Sequence, residues 1–573
     1  AGAAATTAAA WPLLTGDAPG WVAPLALTAT VTVARKAAKR ARRAGLIRPD
    51  LDALEAVRRD AARLGGGAFV GLDELVGVVH APAECAALVL APPRAGKTSG
   101  VVIPTVLSAP GAVLTTSTKP DVLIATARAR SRFGRVLLFD PTGHASAGLP
   151  DGVVTLRWSP LEAAGSWESG RRIAQAMVYA SPAARGTRHE SHWTSRSAAL
   201  LGPLLHAAAK ANLSMRTVVS WVLSGDIDQP EQILLDAACA GDPDALLARE
   251  VLQGVQRAAT EERQSIWSAT SDVIDVYTTS QALDAASEVN FDPDQFVDSR
   301  DTVYIAAAAE QQASVAPLVV ALIEAVRDAQ YRRHRATVVA GDDPGLPVSL
   351  VLDEIANVAP IHSLPALVSE AGGQGLHVLA AIQDLSQVRS RWGSEIAGGF
   401  LSLFQHVVVL GGIRDTRTLE ALSVICGEWD RPQTSTSTSS GRKAWTVWSR
   451  EHTESTPHSH TRQRRLVPGE IYALPPGQAL YLSGSGWRLL QLAPHYTHQR
   501  WQAALTAAPE QIKAWPQPPS PPGRQVPQRI PIVDDDPQGA NGGGQRHHTT
   551  LRPAPRLRPP CEWHLDDEGG RSR

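Results

Sequence analysis

Residues 91–98 are the first stretch whose types and spacing suit phosphate chemistry. They match the Walker A pattern of a phosphate-binding loop, with alanine in place of the first glycine. In such a loop, main-chain N–H groups converge on phosphate oxygens, a lysine reaches the β- and γ-phosphates, and a hydroxyl binds Mg²⁺. The sequence therefore predicts an ATP and Mg²⁺ site here, and a chance Gly-Lys-Thr in a turn is the alternative. The predicted nucleotide-binding residues are Ala91, Pro92, Pro93, Arg94, Ala95, Gly96, Lys97 and Thr98.

A second group of polar residues follows two other apolar segments. Asp353 and Glu354 come directly after Val348–Leu352, and Gln383 lies near the end of His377–Asp384. Parallel strands place ligands at their carboxyl ends, so we expect these side chains beside the phosphate-binding loop. Asp353 is predicted to hold Mg²⁺, largely through water, and Glu354 to polarise the attacking water. Gln383 is predicted to contact the γ-phosphate and report its loss, and a helix-capping or turn role is the alternative.

Each part of this predicted site has a distinct task. Lys97 and Mg²⁺ would neutralise charge on the phosphates, and Thr98 together with Asp353 would hold the metal. Glu354 would orient water, so that hydrolysis depends on positioning and electrostatics. The predicted catalytic residues are therefore Lys97, Glu354 and Gln383.

The elements that must position these residues alternate between apolar strands and helical stretches. The strand candidates are apolar on both faces, which indicates a largely parallel sheet covered by helices. Residues 161–296 instead carry apolar residues at helical spacing without strand patterns. We therefore predict an α/β fold with an all-α insertion. The strand candidates are Ala86–Pro93, Ala112–Thr118, Arg135–Pro141, Thr302–Ala308, Val348–Glu354, His377–Asp384 and His406–Gly412.

Length and charge restrict the class of protein. The 573 residues suffice for about three or four folding units. The 55 basic and 56 acidic residues give a net charge of -1, which excludes a protein that coats nucleic acid by bulk charge. The run Arg35–Arg43 holds six of the basic residues, so the rest of the chain carries 49 against 56 acidic ones. DNA contact would therefore have to come from a few local arginines. The four widely spaced cysteines, which indicate free thiols in a reducing compartment, are Cys85, Cys239, Cys426 and Cys561.

The two ends of the chain differ from its centre in composition. The segment Ala18–Ala34 is uncharged and runs into the basic stretch Arg35–Arg43. This pattern predicts a membrane helix whose C-terminal end faces the cytoplasm. A disordered leader before a basic helix is the alternative. Residues 507–573 are rich in Pro, Gly and Arg and predict a disordered tail.

These patterns divide the chain into predicted domains. Residues 1–43 are the membrane anchor with its basic run. Residues 44–160 and 297–506 are the two parts of the nucleotide-binding domain, and residues 161–296 are the all-α insertion. Within the second part, residues 434–465 are polar and predict a mobile surface loop. The tail completes the chain.

With these motifs in order, the chain resembles the type IV secretion coupling proteins, the TraG/TraD-like ATPases of conjugation, and their actinobacterial members in particular. The resemblance implies a membrane-tethered hexameric ring with a RecA-like P-loop motor and a helical domain that translocates DNA. It also implies that the ATPase residues are Gly96, Lys97, Thr98, Asp353, Glu354 and Gln383. The segments that carry the resemblance are Gly96–Leu123, Trp158–Ala164, Leu350–Gly393, Gly411–Glu428 and Arg464–Gly484.

Two departures from the family pattern stand out. Ala91 replaces the usual first glycine of the loop. Where relatives often carry an arginine between the second and third motifs, the sequence reads Ser-Glu-Ala-Gly-Gly-Gln-Gly and includes Gln374. An arginine that acts on a neighbouring subunit is therefore not placed. Arg389 and Arg391 are candidate substitutes, with arginines on a helix surface as the alternative.

The resemblance implies a function as well as a fold. We expect an ATPase that recruits single-stranded DNA with its attached relaxase, and proteins as a further cargo, and pumps it to a type IV secretion channel. Its partners would be DNA, channel components and the membrane, with the ATPase domain in the cytoplasm. Three alternatives remain open at this point: an FtsK-like double-stranded DNA translocase, a nucleotide-binding scaffold without motor activity, and a protein-only secretion ATPase.

Overall fold

The computed structural model describes residues 53–516, apart from residues 65, 144–149, 182–189, 308–310, 435–436, 443–449, 456–457 and 485. The predicted membrane anchor at residues 1–43 and the predicted tail from residue 517 onward lie outside this part of the chain. Within the described residues, no helix is both long and apolar enough to cross a bilayer.

A single 12-stranded sheet organises the nucleotide-binding part of the chain. Its strands follow the order β2-β1-β16-β15-β10-β3-β9-β8-β4-β7-β5-β6. The eight strands from β10 to β6 pair in parallel, and the others add an antiparallel edge. The strands are β1 Gly66–Asp73, β2 Gly77–Pro82, β3 Ala87–Leu90, β4 Val113–Ser117, β5 Val136–Phe139, β6 Val154–Thr155, β7 Thr302–Ala306, β8 Val348–Leu352, β9 Leu376–Ile382, β10 His406–Leu410, β15 Gln478–Ser483 and β16 Gly486–Gln491.

Helices cover both faces of this sheet. In β3, Leu88 and Leu90 belong to one buried apolar cluster, whereas Ala87 and Val89 belong to a second cluster on the opposite face. An apolar strand with no polar alternation is the pattern that burial on both faces requires. The helices are α1 Ala53–Arg63, α2 Ile103–Ser108, α3 Asp121–Arg130, α4 Trp167–Ala180, α5 Glu190–Lys210, α6 Met215–Ser224, α7 Asp228–Cys239, α8 Pro243–Gln256, α9 Thr260–Ile274, α10 Ser280–Ala285, α11 Pro293–Val297, α12 Gln312–Ala340, α13 Ile355–Val358, α14 Leu364–Glu370, α15 Leu385–Gly399, α16 Thr416–Ile425, α17 Pro468–Tyr472 and α18 Gln499–Thr506.

Every apolar strand candidate of the central sheet forms a strand. The antiparallel edge was less visible in the sequence. β1 contains Gly66, Gly67 and Gly71 and does not form a continuous apolar run. No local sequence pattern predicts its pairing with β2 and β16, because strand formation there depends on contacts with neighbouring strands.

Between β6 and β7 the described residues form helices α4–α11 and short 3₁₀ turns, without strands. α4 and α5 pack against each other, and α4 also packs on the 29-residue α12. α12 is followed along the chain by β8, which ends just before Asp353. The helical insertion therefore packs on the helix that precedes this strand.

Residues 428–464 differ from the predicted loop. They form β11 Glu428–Thr434, β12 Ser437–Arg442, β13 Arg450–Ser455 and β14 His458–Arg464. β11 pairs with β14 and β12 with β13, both antiparallel. Threonine favours extended backbone, and pairing satisfies main-chain hydrogen bonds without an apolar face. A low-complexity polar composition therefore did not exclude strands.

The predicted tail begins too early at residue 507. Ile512 is buried, and the Trp515 indole N–H donates to the Ser131 main-chain oxygen at 2.7 Å. The Lys513 main-chain N–H donates to the Ser131 hydroxyl at 3.1 Å. Residues 507–516 are thus attached to the nucleotide-binding domain through apolar residues that lie between prolines. The Pro-rich composition alone did not predict this attachment.

Trp501 on α18 ties the C-terminal helix to the sheet. It is fully buried, and its ring meets Phe69 of β1 edge-on at 5.1 Å. We expect Trp501→Ala to lower the free energy of unfolding by about 3–5 kcal/mol, because it removes a buried aromatic side chain and leaves a cavity. Tyr496→Ala, at a side chain that is 61% exposed, should change it by less than about 0.5 kcal/mol. Urea denaturation followed by fluorescence measures both, and equal midpoints would contradict this packing role.

Two buried histidines are expected to make the fold sensitive to acid. The ring of His80 contacts the Gly67 main-chain oxygen at 2.9 Å, and burial lowers the pKa of His80 and of His377 from 6.5 to about 4. The unfolded chain therefore binds more protons between pH 6.5 and pH 4, and stability falls as the pH is lowered through that window.

We expect a loss of up to about 3 kcal/mol per histidine at pH 4. Replacing both histidines with glutamine should flatten the pH profile of urea midpoints. His192→Gln, at a side chain that is 52% exposed, should leave the profile unchanged. An unaltered profile in the double variant would show that other groups control acid unfolding.

Candidate active site

The phosphate-binding loop connects β3 to a helical turn that runs into α2. The Ala91 main-chain N–H donates to the Ile382 oxygen at 3.1 Å, which fastens the start of the loop to β9. Arg94 and Gly96 have positive φ angles of 65° and 95°, so the chain reverses sharply before Lys97. Ala91 is fully buried in the apolar cluster, and this explains why a small apolar residue suits the first position.

The carboxylate that follows β8 meets the end of this loop. The Thr98 hydroxyl donates to Asp353 Oδ2 at 3.0 Å, and Lys97 Nζ lies 3.3 Å from Asp353 Oδ1. Lys97 also forms a direct ion pair with Glu354. Lys97 and Asp353 are both buried. Burial raises the pKa of Asp353, while the Lys97 charge opposes that rise.

Glu354 is held in an unusual backbone conformation. Its φ of 54° lies in the left-handed region, directly before the short helix α13. The Gln383 amide N–H₂ donates to Glu354 Oε2 at 3.3 Å. The Gln383 main-chain N–H in turn donates to Gln387 Oε1 at 2.9 Å, so α15 helps to place this residue. Strained residues of this kind occur at sites that neighbouring structure holds in place.

The residues predicted from the three motifs therefore lie together. Lys97, Thr98, Asp353, Glu354 and Gln383 form one connected set of contacts at the carboxyl edge of adjacent strands β3, β9 and β8. Open parallel sheets bind ligands at this edge.

The set of oxygen donors fits a hard divalent cation beside a phosphate. Among the described residues, Asp353 Oδ1 accepts no hydrogen bond although it is buried. Lys97 Nζ lies 3.3 Å from this oxygen, and the Thr98 hydroxyl bonds the other oxygen of the same carboxylate. Carboxylate and hydroxyl oxygens are ligands that Mg²⁺ prefers. Lys97 is the buried cation next to both carboxylates.

The arginine candidates from the sequence are placed differently. Arg389 Nη2 bonds Asp415 Oδ1 at 2.8 Å, and Asp415 also caps α16. This ion pair gives Arg389 a structural partner. Burial lowers the pKa of Arg391, which lies on α15. Neither residue contacts the five motif residues named above.

Three supporting elements were missed by reasoning from sequence. The Thr116 hydroxyl of β4 donates to the Asp353 main-chain oxygen at 2.9 Å. The His495 main-chain N–H donates to the Ser99 oxygen at 3.0 Å, after the last strand of the sheet. Residues 411–414 line a cleft of about 510 Å³ together with residues 92–95 and Gln383. The Gly-Gly pair that ends β10 was the only sequence signal for the cleft.

The segment after Glu354 reaches the helical layer. His362 stacks on Tyr179 of α4, with the ring centres 3.8 Å apart and nearly parallel. The neighbouring Ser363 hydroxyl donates to the buried Glu324 of α12 at 2.8 Å. The chain thus runs from the motif carboxylates to the helical insertion within about one short helix and a turn.

Comparison with protein families agrees with this geometry. The family described as type IV secretory system conjugative DNA transfer matches residues 39–505. The chain belongs to this family. Two conjugal transfer proteins TraG of Escherichia coli are 24% identical over 385 residues and 23% identical over 336 residues. These alignments cover 61% and 53% of this chain but 56% and 49% of the TraG chains, so the chain spans about half the length of the curated relatives it matches.

Solved structures show that the fold of this chain is similar to that of the coupling protein TrwB. TrwBdeltaN70 in its unbound form has a TM-score of 0.54 and 19% identity, covering 76% of this chain and 91% of that one. TrwB in complex with the ATP analogue ADPNP gives the same TM-score and identity and covers 92% of that chain. TrwB has also been solved with ADP and Mg²⁺. The family match confirms the resemblance, and the structural similarity to TrwB agrees with the predicted α/β fold built on a largely parallel sheet.

Lys97 is expected to stabilise the ligand-free protein as well as to bind phosphate. Lys97→Met would leave the buried Asp353 and the partly buried Glu354 without a cation, so we expect the free energy of unfolding to fall by about 3–5 kcal/mol. Lys119→Met alters an exposed lysine of the same sheet edge and should cost less than about 0.5 kcal/mol. Equal denaturation midpoints for the two variants would contradict the charge balance described here.

Proposed function

We propose that this protein is an ATP-driven coupling protein that moves DNA toward a type IV secretion channel. The observation that carries the proposal is the connected set Lys97, Thr98, Asp353, Glu354 and Gln383 at the edge of a parallel sheet. Membership in the conjugative DNA transfer family supports the same conclusion.

In this proposal each residue acts through its position. Lys97 contacts the β- and γ-phosphates, and main-chain N–H groups of residues 92–97 complete the phosphate site. Thr98 and Asp353 hold Mg²⁺, which would neutralise phosphate charge when bound. Glu354 orients the attacking water and accepts its proton. Gln383 bonds Glu354 and senses the terminal phosphate.

Phosphate binding would redistribute the contacts of Lys97. In the structure this side chain balances two carboxylates. A bound phosphate would attract Lys97 away from Glu354. The Glu354 carboxylate would then keep its hydrogen bond from Gln383 and be able to bind the attacking water. Movement of Glu354 would be passed along α13 to His362 and Tyr179, and thereby to the helical insertion.

The finer parts of the proposal concern assembly and cargo. We propose a homo-hexameric ring that is held at the cell membrane by Ala18–Ala34, with the motor in the cytoplasm. Six basic residues of Arg35–Arg43 would meet the membrane surface. Single-stranded DNA with its attached relaxase, and proteins as a further cargo, would be delivered to the channel components.

Hydrolysis should depend on Glu354. We expect Glu354→Gln to lower the kcat for ATP by at least about 100-fold, because the side chain can no longer accept a proton. Binding of a fluorescent ATP analogue should change by less than about threefold. Glu395→Gln, at an exposed glutamate of α15, should keep wild-type kcat. Phosphate release and analogue titration measure the two effects.

Nucleic acid provides the second arm of this experiment. Wild-type hydrolysis should rise with single-stranded DNA more than with duplex DNA of the same length, and the rise should be absent in Glu354→Gln. A preference for duplex DNA would favour the FtsK-like alternative. Unchanged hydrolysis in both Glu354→Gln and Lys97→Ala would contradict the motor function itself.

A further inference from the structure

A cleft of about 510 Å³ opens beside the first half of the phosphate-binding loop. The loop residues 92–95 form one wall, and Gln383 with Asp384 forms another. The third wall is the segment Gly411–Arg414, which follows β10. β9, β3 and β10 are adjacent parallel strands, so all three walls come from the same carboxyl edge of the sheet.

The third wall is held firmly in place. The Gly412 main-chain N–H donates to the Tyr472 oxygen at 2.9 Å, and a side chain at Gly412 would lie 3.4 Å from Pro92. The next residue, Ile413, is buried in the core. Beyond Arg414, Asp415 accepts the Thr418 N–H at the start of α16 and pairs with Arg389. The backbone of Arg414 is therefore anchored on both sides.

The side chain of Arg414 differs from its neighbours. It is exposed to the cleft, and no described residue forms an ion pair or hydrogen bond with its guanidinium. Asp384, across the cleft, is engaged in capping α15, where it accepts the Ser386 N–H at 2.8 Å. An unpaired cation on a fixed backbone is arranged to bind an anion that enters the cleft.

The position of the cleft identifies the anion. The first half of a phosphate-binding loop and the strand-end Gln383, which bonds Glu354, both border the cleft. Resting on the proposed ATPase function, we infer that Arg414 is a catalytic residue that contacts the terminal phosphate of ATP bound to its own subunit. Its charge would stabilise the negative charge that spreads over the phosphoryl oxygens in the transition state. It would thereby supply within its own subunit the kind of charge that Arg389 and Arg391 were candidates to supply to a neighbouring subunit.

Arg94 is the other arginine that lines the cleft, and it serves for comparison. It lies within the loop, where main-chain N–H groups rather than side chains face the phosphates. Arg417 is an exposed arginine in the first turn of α16 and does not line the cleft. Arg417 therefore provides the matched control for removal of an exposed arginine near the site, and Arg94 is the competing candidate for the cleft contact.

The test measures steady-state ATP hydrolysis by the full-length chain. We expect Arg414→Ala to lower kcat at least about 100-fold with less than about a threefold change in KM, since one transition-state contact is lost. Arg414→Lys should recover part of the rate. Arg417→Ala should stay within about threefold of wild type.

A mixing experiment tests the assignment to the same subunit. Glu354→Gln chains keep Arg414, and Arg414→Ala chains keep an intact Glu354. If Arg414 acts within its own subunit, mixtures show no more hydrolysis than the two variants apart. Recovery of hydrolysis on mixing would overturn the assignment, because Arg414 would then act on a neighbour's nucleotide.

Two further outcomes separate this inference from the proposed function. If Glu354→Gln loses hydrolysis while Arg414→Ala keeps it, the inference fails and the ATPase function stands. If Arg94→Ala alone reproduces the loss of kcat, the cleft contact belongs to the loop arginine and the inference again fails. If neither Glu354→Gln nor Lys97→Ala reduces hydrolysis, the proposed function fails first.

Discussion

The buried charge balance between Lys97, Asp353 and Glu354 is the interaction on which the remaining structure depends. Two carboxylates and an ammonium group are costly to bury, even partly, unless they neutralise each other. Their atoms come within ion-pair distance only if β3 and β8 end at the same level of the sheet. The charges can therefore neutralise each other only if β3 and β8, which are far apart in sequence, keep this alignment in the sheet.

The apolar strands meet that condition because both of their faces are buried. β9 lies between β3 and β8 and contributes Gln383 at its end, so three adjacent strands each deliver polar groups to one edge. After Glu354, the short helix α13 and the turn that follows it connect the site to the helical insertion. His362 stacks on Tyr179, which gives the insertion a direct mechanical contact with the segment that follows Glu354.

Some arginines of this protein have structural roles, which the net charge does not reveal. Arg130 is fully buried and donates to the main-chain oxygens of Ala109 and Gly111 at 2.9 Å and 2.7 Å. Arg58 donates to the Ala109 oxygen as well and lies over the Phe133 ring. These guanidinium groups satisfy a buried turn and cannot bind DNA. The 55 basic residues that enter the net charge of -1 therefore include buried and ion-paired cations as well as exposed ones.

The sequence by itself determined the central parallel strands and the five motif residues, because both are local patterns: an apolar run, and polar residues at its end. Only the tertiary structure decided the antiparallel edge, where the glycine-rich β1 pairs with β16 from the other end of the described chain. It also decided that residues 428–464 pair as strands and that Trp515 binds Ser131. The position of Arg414 at the cleft likewise depends on packing between distant segments, which gave Arg389 a partner but left the Arg414 side chain without one among the described residues.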